Sequence, residues 1–211
     1  LYEGESSVND MIKPMVEKLT RENIAHESNG AIVIDVAEPD DKIEVPPFIV
    51  LKSDGAAMYS TTDLATILSR EQRFNPSEIW YVVDNRQSLH FLQLFRAARK
   101  AHFVGDDVQL KFFGFGTMNG KDGRPFKTRD GGVMSVLTLI DNVKESINKK
   151  LQENGAEDEQ ICDVITTATL KFADLSNNRE TDFIFDVDKF SALEGKTGPY
   201  ILYTTVRANS V

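Results

Sequence analysis

The chain has 211 residues, 41% hydrophobic and 27% charged, with 24 basic against 33 acidic side chains and a formal net charge of −9. That length can bury a full core and that balance is ordinary for a globular protein, so disorder is excluded, as is a nucleic-acid surface spread over the whole chain. A local basic site remains compatible with the charge.

No apolar run approaches the roughly 18 residues of a spanning helix, and the opening LYEGESSVND has neither a basic start nor an apolar signal core, so no membrane partner is expected. The lone Cys162 cannot close an internal disulfide, which makes a reducing cytoplasm the simplest compartment, and its helical pattern with Ile161 and Ile165 reads as buried filler. His26, His90 and His102 are not spaced as metal ligands, and no protein-bound metal is expected.

Val8, Met11, Ile12, Met15, Val16 and Leu19 recur at helical spacing, and Ser7 with Asp10 resembles a capping box, so a first amphipathic helix is expected. Asn29-Gly30 then precedes a strand, AIVIDV (31–36), an acidic loop, Pro46-Pro47 and a second strand, FIVLK. Together these suggest a small insertion, 1–47, leading into a main sheet.

At SDGAAMYSTTDL (53–64) a turn signal, Asp54-Gly55, is followed by a short strand, Ala57 to Ser60, and by a helix with Thr61 or Thr62 as N-cap and Leu64, Ala65, Ile67 and Leu68 on its apolar face. Tyr59 and Asp63 sit four apart at this corner, where open α/β folds bind ligands; equally, Asp63 could complement the helix dipole and Tyr59 fill core. Asn75-Pro76 breaks the helix. EIWYVVD (78–84) reads as a strand buried on both faces, and the polar run Asn85-Arg86-Gln87-Ser88 leads to a helix with His90, Phe91 and Gln93. This second corner should open on the same sheet edge, bringing Gln87 near Tyr59 and Asp63. With DVQLKFFGFG (107–116), the alternation of strand and helix is that of a parallel α/β sheet over 48–142.

GKDGRPFKTRDGG (120–132) carries Lys121, Arg124, Lys127 and Arg129 against Asp122 and Asp130, and four glycines. Such a loop suits phosphate chemistry, or is a solvated hairpin tip, and it is not a P-loop. Beyond it the pattern is mainly helical, through Leu137 to Leu151 and Ile161 to Phe172, then an irregular stretch and a last helix, GPYILYTTVRANSV. The start at Leu1 and a stop inside that helix suggest a piece of a longer chain.

SDGAAMYSTTDLA, YVVDNRQSLHFLQLFRAARKA, FGFGTMNGKDGRPFKTRDGG, KFADLSNNRETDFIFDVDKF and EGKTGPYILYTTVR, in this order, resemble the arginyl-tRNA synthetases of class I. The resemblance implies the second half of a Rossmann-like catalytic domain over 48–142. It makes 143–211 a helical segment leading to the acceptor-stem and anticodon-binding region.

It further implies an arginine pocket lined by Tyr59, Asp63 and Gln87, since a planar guanidinium matches a carboxylate in bidentate geometry. His90, Phe91, Gly114 and Gly116 would lie beside ATP, and Lys127, in Phe126-Lys127-Thr128-Arg129, would stand at the second class I signature. ATP with Mg2+, arginine and arginine tRNA are the implied substrates and partners.

The first signature, His-x-Gly-His, is absent: the three histidines are followed by ESN, FLQ and FVG. The 211 residues alone are therefore expected to be inactive. The alternative is a stand-alone module that binds arginine or a nucleotide without chemistry.

Overall fold

A computed structural model describes residues 2–125, 134–156, 158–192 and 194–210. The chain divides into two compact units, Leu1–Gly114 and Phe115–Val211. That division falls inside the 48–142 stretch, because strand and helix alternation follows local pattern whereas the units follow packing.

In the first unit a 3-10 turn, Glu5–Val8, leads into α1 (Asn9–Arg21), which buries Met15 and Leu19. The helix is where the periodicity put it, but the capping box is not made: the N-cap is Val8, without a side-chain cap bond, because the 3-10 turn takes up Ser7.

A three-stranded antiparallel sheet follows, β1 (His26–Ser28), β2 (Ala31–Ile34) and β3 (Phe48–Leu51). Ser28 pairs with Ala31 across Asn29-Gly30, whose φ values of 50° and 80° form the left-handed two-residue turn that a tight hairpin needs. β1 is too polar, His-Glu-Ser, to show in an apolar pattern. β3 bonds to β2, so FIVL closes this small sheet, and among the described residues no strand pairing joins it to β4. The expected run of strands in one sheet is thus divided among smaller sheets.

α2 (Tyr59–Phe74) starts earlier than the sequence suggests, and Tyr59 and Ser60 are helical, not strand. Neither Thr61 nor Thr62 is the N-cap. Met58 is extended there, and Thr61 accepts its N–H at 2.8 Å. The helix ends at Asn75, left-handed at φ 43°, just before Pro76.

β4 (Glu78–Asp84) pairs with β5 (Gln109–Phe115), and a 3-10 turn (Asn85–Gln87) and α3 (Ser88–Lys100) lie between them. β4 alternates: Ile79 and Tyr81 are buried, while Trp80 and Val82 are 61% and 62% exposed. The expectation of burial on both faces is corrected, since α3 covers one face through Phe91 and Phe95 against Tyr81. The core of this unit joins Leu64 and Ile67 of α2, Leu94 of α3, Phe48 and Val50 of β3, and Phe103.

The second unit holds β6 (Met118–Asn119) parallel to β7 (Phe183–Ile184), with α4 (Val136–Glu153), α5 (Glu159–Leu175), α6 (Val187–Phe190) and α7 (Gly198–Asn209). Ser135, Asp158 and Thr197 each cap the helix that follows by accepting a backbone N–H. Val143, Ile147, Cys162, Phe185 and Phe190 form its core, so Cys162 is filler as expected. Among the described residues no helix is long and apolar enough to cross a membrane.

Candidate functional site

The first turn of α2 is bolted to β3 by two hydroxyls. Ser60 Oγ donates to the Ile49 carbonyl at 2.7 Å, and Thr61 Oγ1 donates to the Val50 carbonyl at 2.5 Å. Both side chains are buried, so these bonds meet little competition from water. They fix where the next turn points its side chains.

With Tyr59 as the first helical residue, Asp63 falls beyond the first turn, which contains no acidic residue. A helix dipole acts mainly on the first turn, so dipole complementation loses force as an explanation of Asp63. Tyr59 is 61% exposed and is not core. Four residues apart, the two share one helix face.

The second corner meets the first through His90. Its Nε2 lies 2.7 Å from Asp63 Oδ2. The imidazole packs edge-on to Tyr59 and to Phe91, each with ring centroids 5.0 Å away, and stacks on Phe48 at 6.4 Å. Behind them Tyr81 is pushed up to about 12, chiefly by burial and further by the Asp63 charge, with Arg70 opposing; its ring faces that Arg70 guanidinium at 5.4 Å.

The polar run before α3 has a local cause. Asp84 accepts from the Arg86 backbone N–H and from its guanidinium, which hold the carboxyl down to about 2. Gln87 ends this turn, exposed, one helical turn before His90, and its side chain makes no hydrogen bond among the described residues. Phe91 points the other way, 4% exposed and packed with Tyr81, Phe95 and Phe112. It offers a ligand no surface.

α3 is braced from behind by polar side chains at 93, 96 and 100. Gln93 donates to the Pro46 carbonyl, Arg96 to the Val36 carbonyl and both Asp41 oxygens, and Lys100 to the Asp35 carbonyl. Arg96 holds the Asp41 carboxyl down to about 2. Sequence reasoning missed this brace. The i, i+3, i+7 spacing of long polar donors on an otherwise apolar helix was the available signal.

Both glycines have structural reasons. A Cβ at Gly114 would stand 2.5 Å from Asn85 Oδ1, and one at Gly116 would stand 2.2 Å from the Thr181 backbone. Gly116 N–H also donates to the Arg179 carbonyl at 2.8 Å.

The basic stretch begins as a tight turn, with Gly120 N–H on the Arg124 carbonyl and Gly123 at φ 72°. Lys121 pairs with Asp186 at 3.0 Å and Asp188 at 3.1 Å, which raise its affinity for its proton. Lys127 and Arg129 lie outside the described residues. No cluster of three or more His, Cys, Asp or Glu able to hold a metal occurs among the described residues.

Residues 1–187 match the family described as tRNA synthetases class I (R), catalytic domain. The chain is 52% identical over its whole length to an arginine-tRNA ligase of Alkaliphilus oremlandii, covering 37% of that protein. It is 49% identical to one of Francisella tularensis subsp. novicida, covering 35%. The chain thus spans little more than a third of these relatives.

Two solved structures share its fold. The arginyl-tRNA synthetase of Plasmodium falciparum has a TM-score of 0.77 at 23% identity, over 96% of this chain and 34% of that one. The Thermus thermophilus arginyl-tRNA synthetase has a TM-score of 0.75 at 20% identity, over 95% and 40%. Five ordered sequence blocks, a mixed α/β fold with a helical C-terminal part, and a family match over most of the length agree, and the chain belongs to the class I arginyl-tRNA synthetase catalytic-domain family.

Proposed function

We propose that these residues form the arginine-binding half of the catalytic domain of an arginine-tRNA ligase working in the cytoplasm. In the full-length enzyme the arginine carboxylate attacks the α-phosphorus of ATP, with Mg2+ arriving as part of that substrate, and pyrophosphate leaves. A ribose hydroxyl at the 3′ end of arginine tRNA then attacks the arginyl carbonyl of the adenylate, the ester forms and AMP leaves. The β4–α3–β5 segment serves as the later half of the Rossmann-like nucleotide fold.

The observation that carries this reading is Asp63, a carboxylate held at a rigid strand-to-helix corner with one-third of its side chain open, beside an exposed Tyr59. An open carboxylate flanked by an aromatic face suits a guanidinium, which forms forked bonds to carboxylates and stacks on rings. Gln87, exposed one turn before His90, is the third member of the pocket. A lysine substrate reaches the same carboxylate but lacks the fork. Chemistry of this kind rests on positioning and on electrostatic stabilisation of the phosphates.

The test is Asp63→Asn in the full-length enzyme, assayed by ATP–pyrophosphate exchange. The substitution keeps the shape but removes the charge facing a desolvated cation, a loss of about 2–5 kcal/mol. The KM for arginine should rise by about thirtyfold or more, with the KM for ATP within about twofold. Equal effects on both substrates would overturn the reading, as would retention of arginine binding without any exchange in the unmodified enzyme, the behaviour of a stand-alone binding module.

A further inference from the structure

The resemblance puts His90 beside ATP; in the structure its imidazole is engaged with Asp63. The imidazole is 13% exposed as a side chain, and its Nε2 is directed at Asp63 Oδ2. A carboxylate can only accept, so this bond requires the proton on Nε2. The ring cannot easily turn away from it: Phe48 stacks on it, and the edges of Tyr59 and Phe91 close the sides.

Three features make the contact more than an incidental pair. It joins residues 27 apart in sequence on two different helices, so both partners are placed by the fold and not by local chain geometry. Each partner stands on a braced element, α2 through Ser60 and Thr61 and α3 through Gln93, Arg96 and Lys100. The bond takes one lone pair of Oδ2; the side chain remains one-third exposed, and the other lone pairs of the carboxylate can still accept from a ligand.

We propose that His90 is a positioning residue for the arginine side of the site: its Nε2–H fixes the rotamer of Asp63, so that the free carboxylate edge stands ready for the guanidinium. This rests on the reading of Asp63 as the guanidinium partner. A carboxylate free to rotate would have to be ordered on binding, at the expense of affinity. His90 therefore acts on the KM for arginine, through Asp63, and not on the phosphates.

The test pairs two variants of similar size in the full-length enzyme, with Asp63→Asn beside them. In His90→Gln the amide nitrogen stands about where Nε2 was and can donate; in His90→Asn it stops short. His90→Asn should raise the KM for arginine about tenfold to a hundredfold, the range for one hydrogen bond to a charged group. His90→Gln should recover most of that, to within about fivefold, with the KM for ATP steady in both.

An increase in the KM for ATP with arginine unmoved would overturn the proposal and return His90 to the nucleotide. Equal loss in both variants, in kcat and both KM values together, would also overturn it, as the mark of a packing role. If Asp63→Asn raises the arginine KM and His90→Asn does not, only this inference fails; if Asp63→Asn has no effect, the arginine reading fails with it.

Discussion

At the α2–α3 corner one carboxylate meets one imidazole inside a frame of three aromatic rings, whereas after β6 an exposed lysine, Lys121, is shared by two carboxylates. Both sites bring opposite or potentially opposite charges together, yet they are built for different ends. The first leaves a carboxylate edge open on a rigid base. The second neutralises a cation in water, where ion pairs contribute little and salt screens them. For a phosphate-directed charge in the 120–132 stretch we propose Lys127, the residue that the family resemblance indicates.

The largest effect should come from Lys127→Ala in the full-length enzyme. A lysine that meets the phosphates as charge develops acts on the transition state, so kcat for adenylate formation should fall about tenfold to a thousandfold, the range for one electrostatic donor. The KM for arginine should hardly move, in contrast to Asp63→Asn. Pyrophosphate exchange at saturating arginine checks this, and a wild-type rate would leave the basic stretch without a catalytic part.

A smaller effect, on stability, should follow Arg96→Ala, which removes the brace behind α3. Arg96 chiefly, with the Glu38 backbone N–H, holds the folded Asp41 carboxyl down to about 2. The unfolded state then binds the proton more readily than the folded one. The stabilisation is complete above the unfolded pKa and is lost as pH falls through about 4 towards 2. The melting temperature of the variant should lie below wild type at neutral pH, and the gap should close as the pH approaches 2. A gap that persists unchanged to the acid end would mean that Arg96 acts through its bond to the Val36 carbonyl or its packing, and not through Asp41.

The smallest effect should be that of Lys121→Ala. With its side chain 62% exposed and its ammonium already paired twice, its loss should leave exchange activity within about twofold and lower the melting temperature only slightly, less so at high salt. A loss as large as that of Lys127→Ala would erase the distinction between the two ends of the stretch.

The helices were legible because their causes are local. The apolar period of α1, the stop at Asn75-Pro76 and the apolar face of α2 each lie within a few residues of one another. That Tyr59 and Asp63 meet was expected, but across a strand-to-helix corner; the structure puts both on one helix face. What misled was also local: Ala57 to Ser60 reads as strand by composition, but Met58 caps the helix through Thr61, and the β3 carbonyls draw Ser60 and Thr61 into it. β4 reads as doubly buried because its residues are apolar, and composition carries no record of which face a helix covers.

By itself, then, the sequence determined the membership in this family, the order of the helices and the residues offered at each corner, since all three rest on short blocks and short periods. Tertiary structure alone decided that FIVL pairs with β2, that Gly114 and Gly116 make room for Asn85 and Thr181, and that His90 turns to Asp63. Those contacts join residues far apart along the chain. A partner at that separation is selected by packing, and no spacing within a motif encodes it.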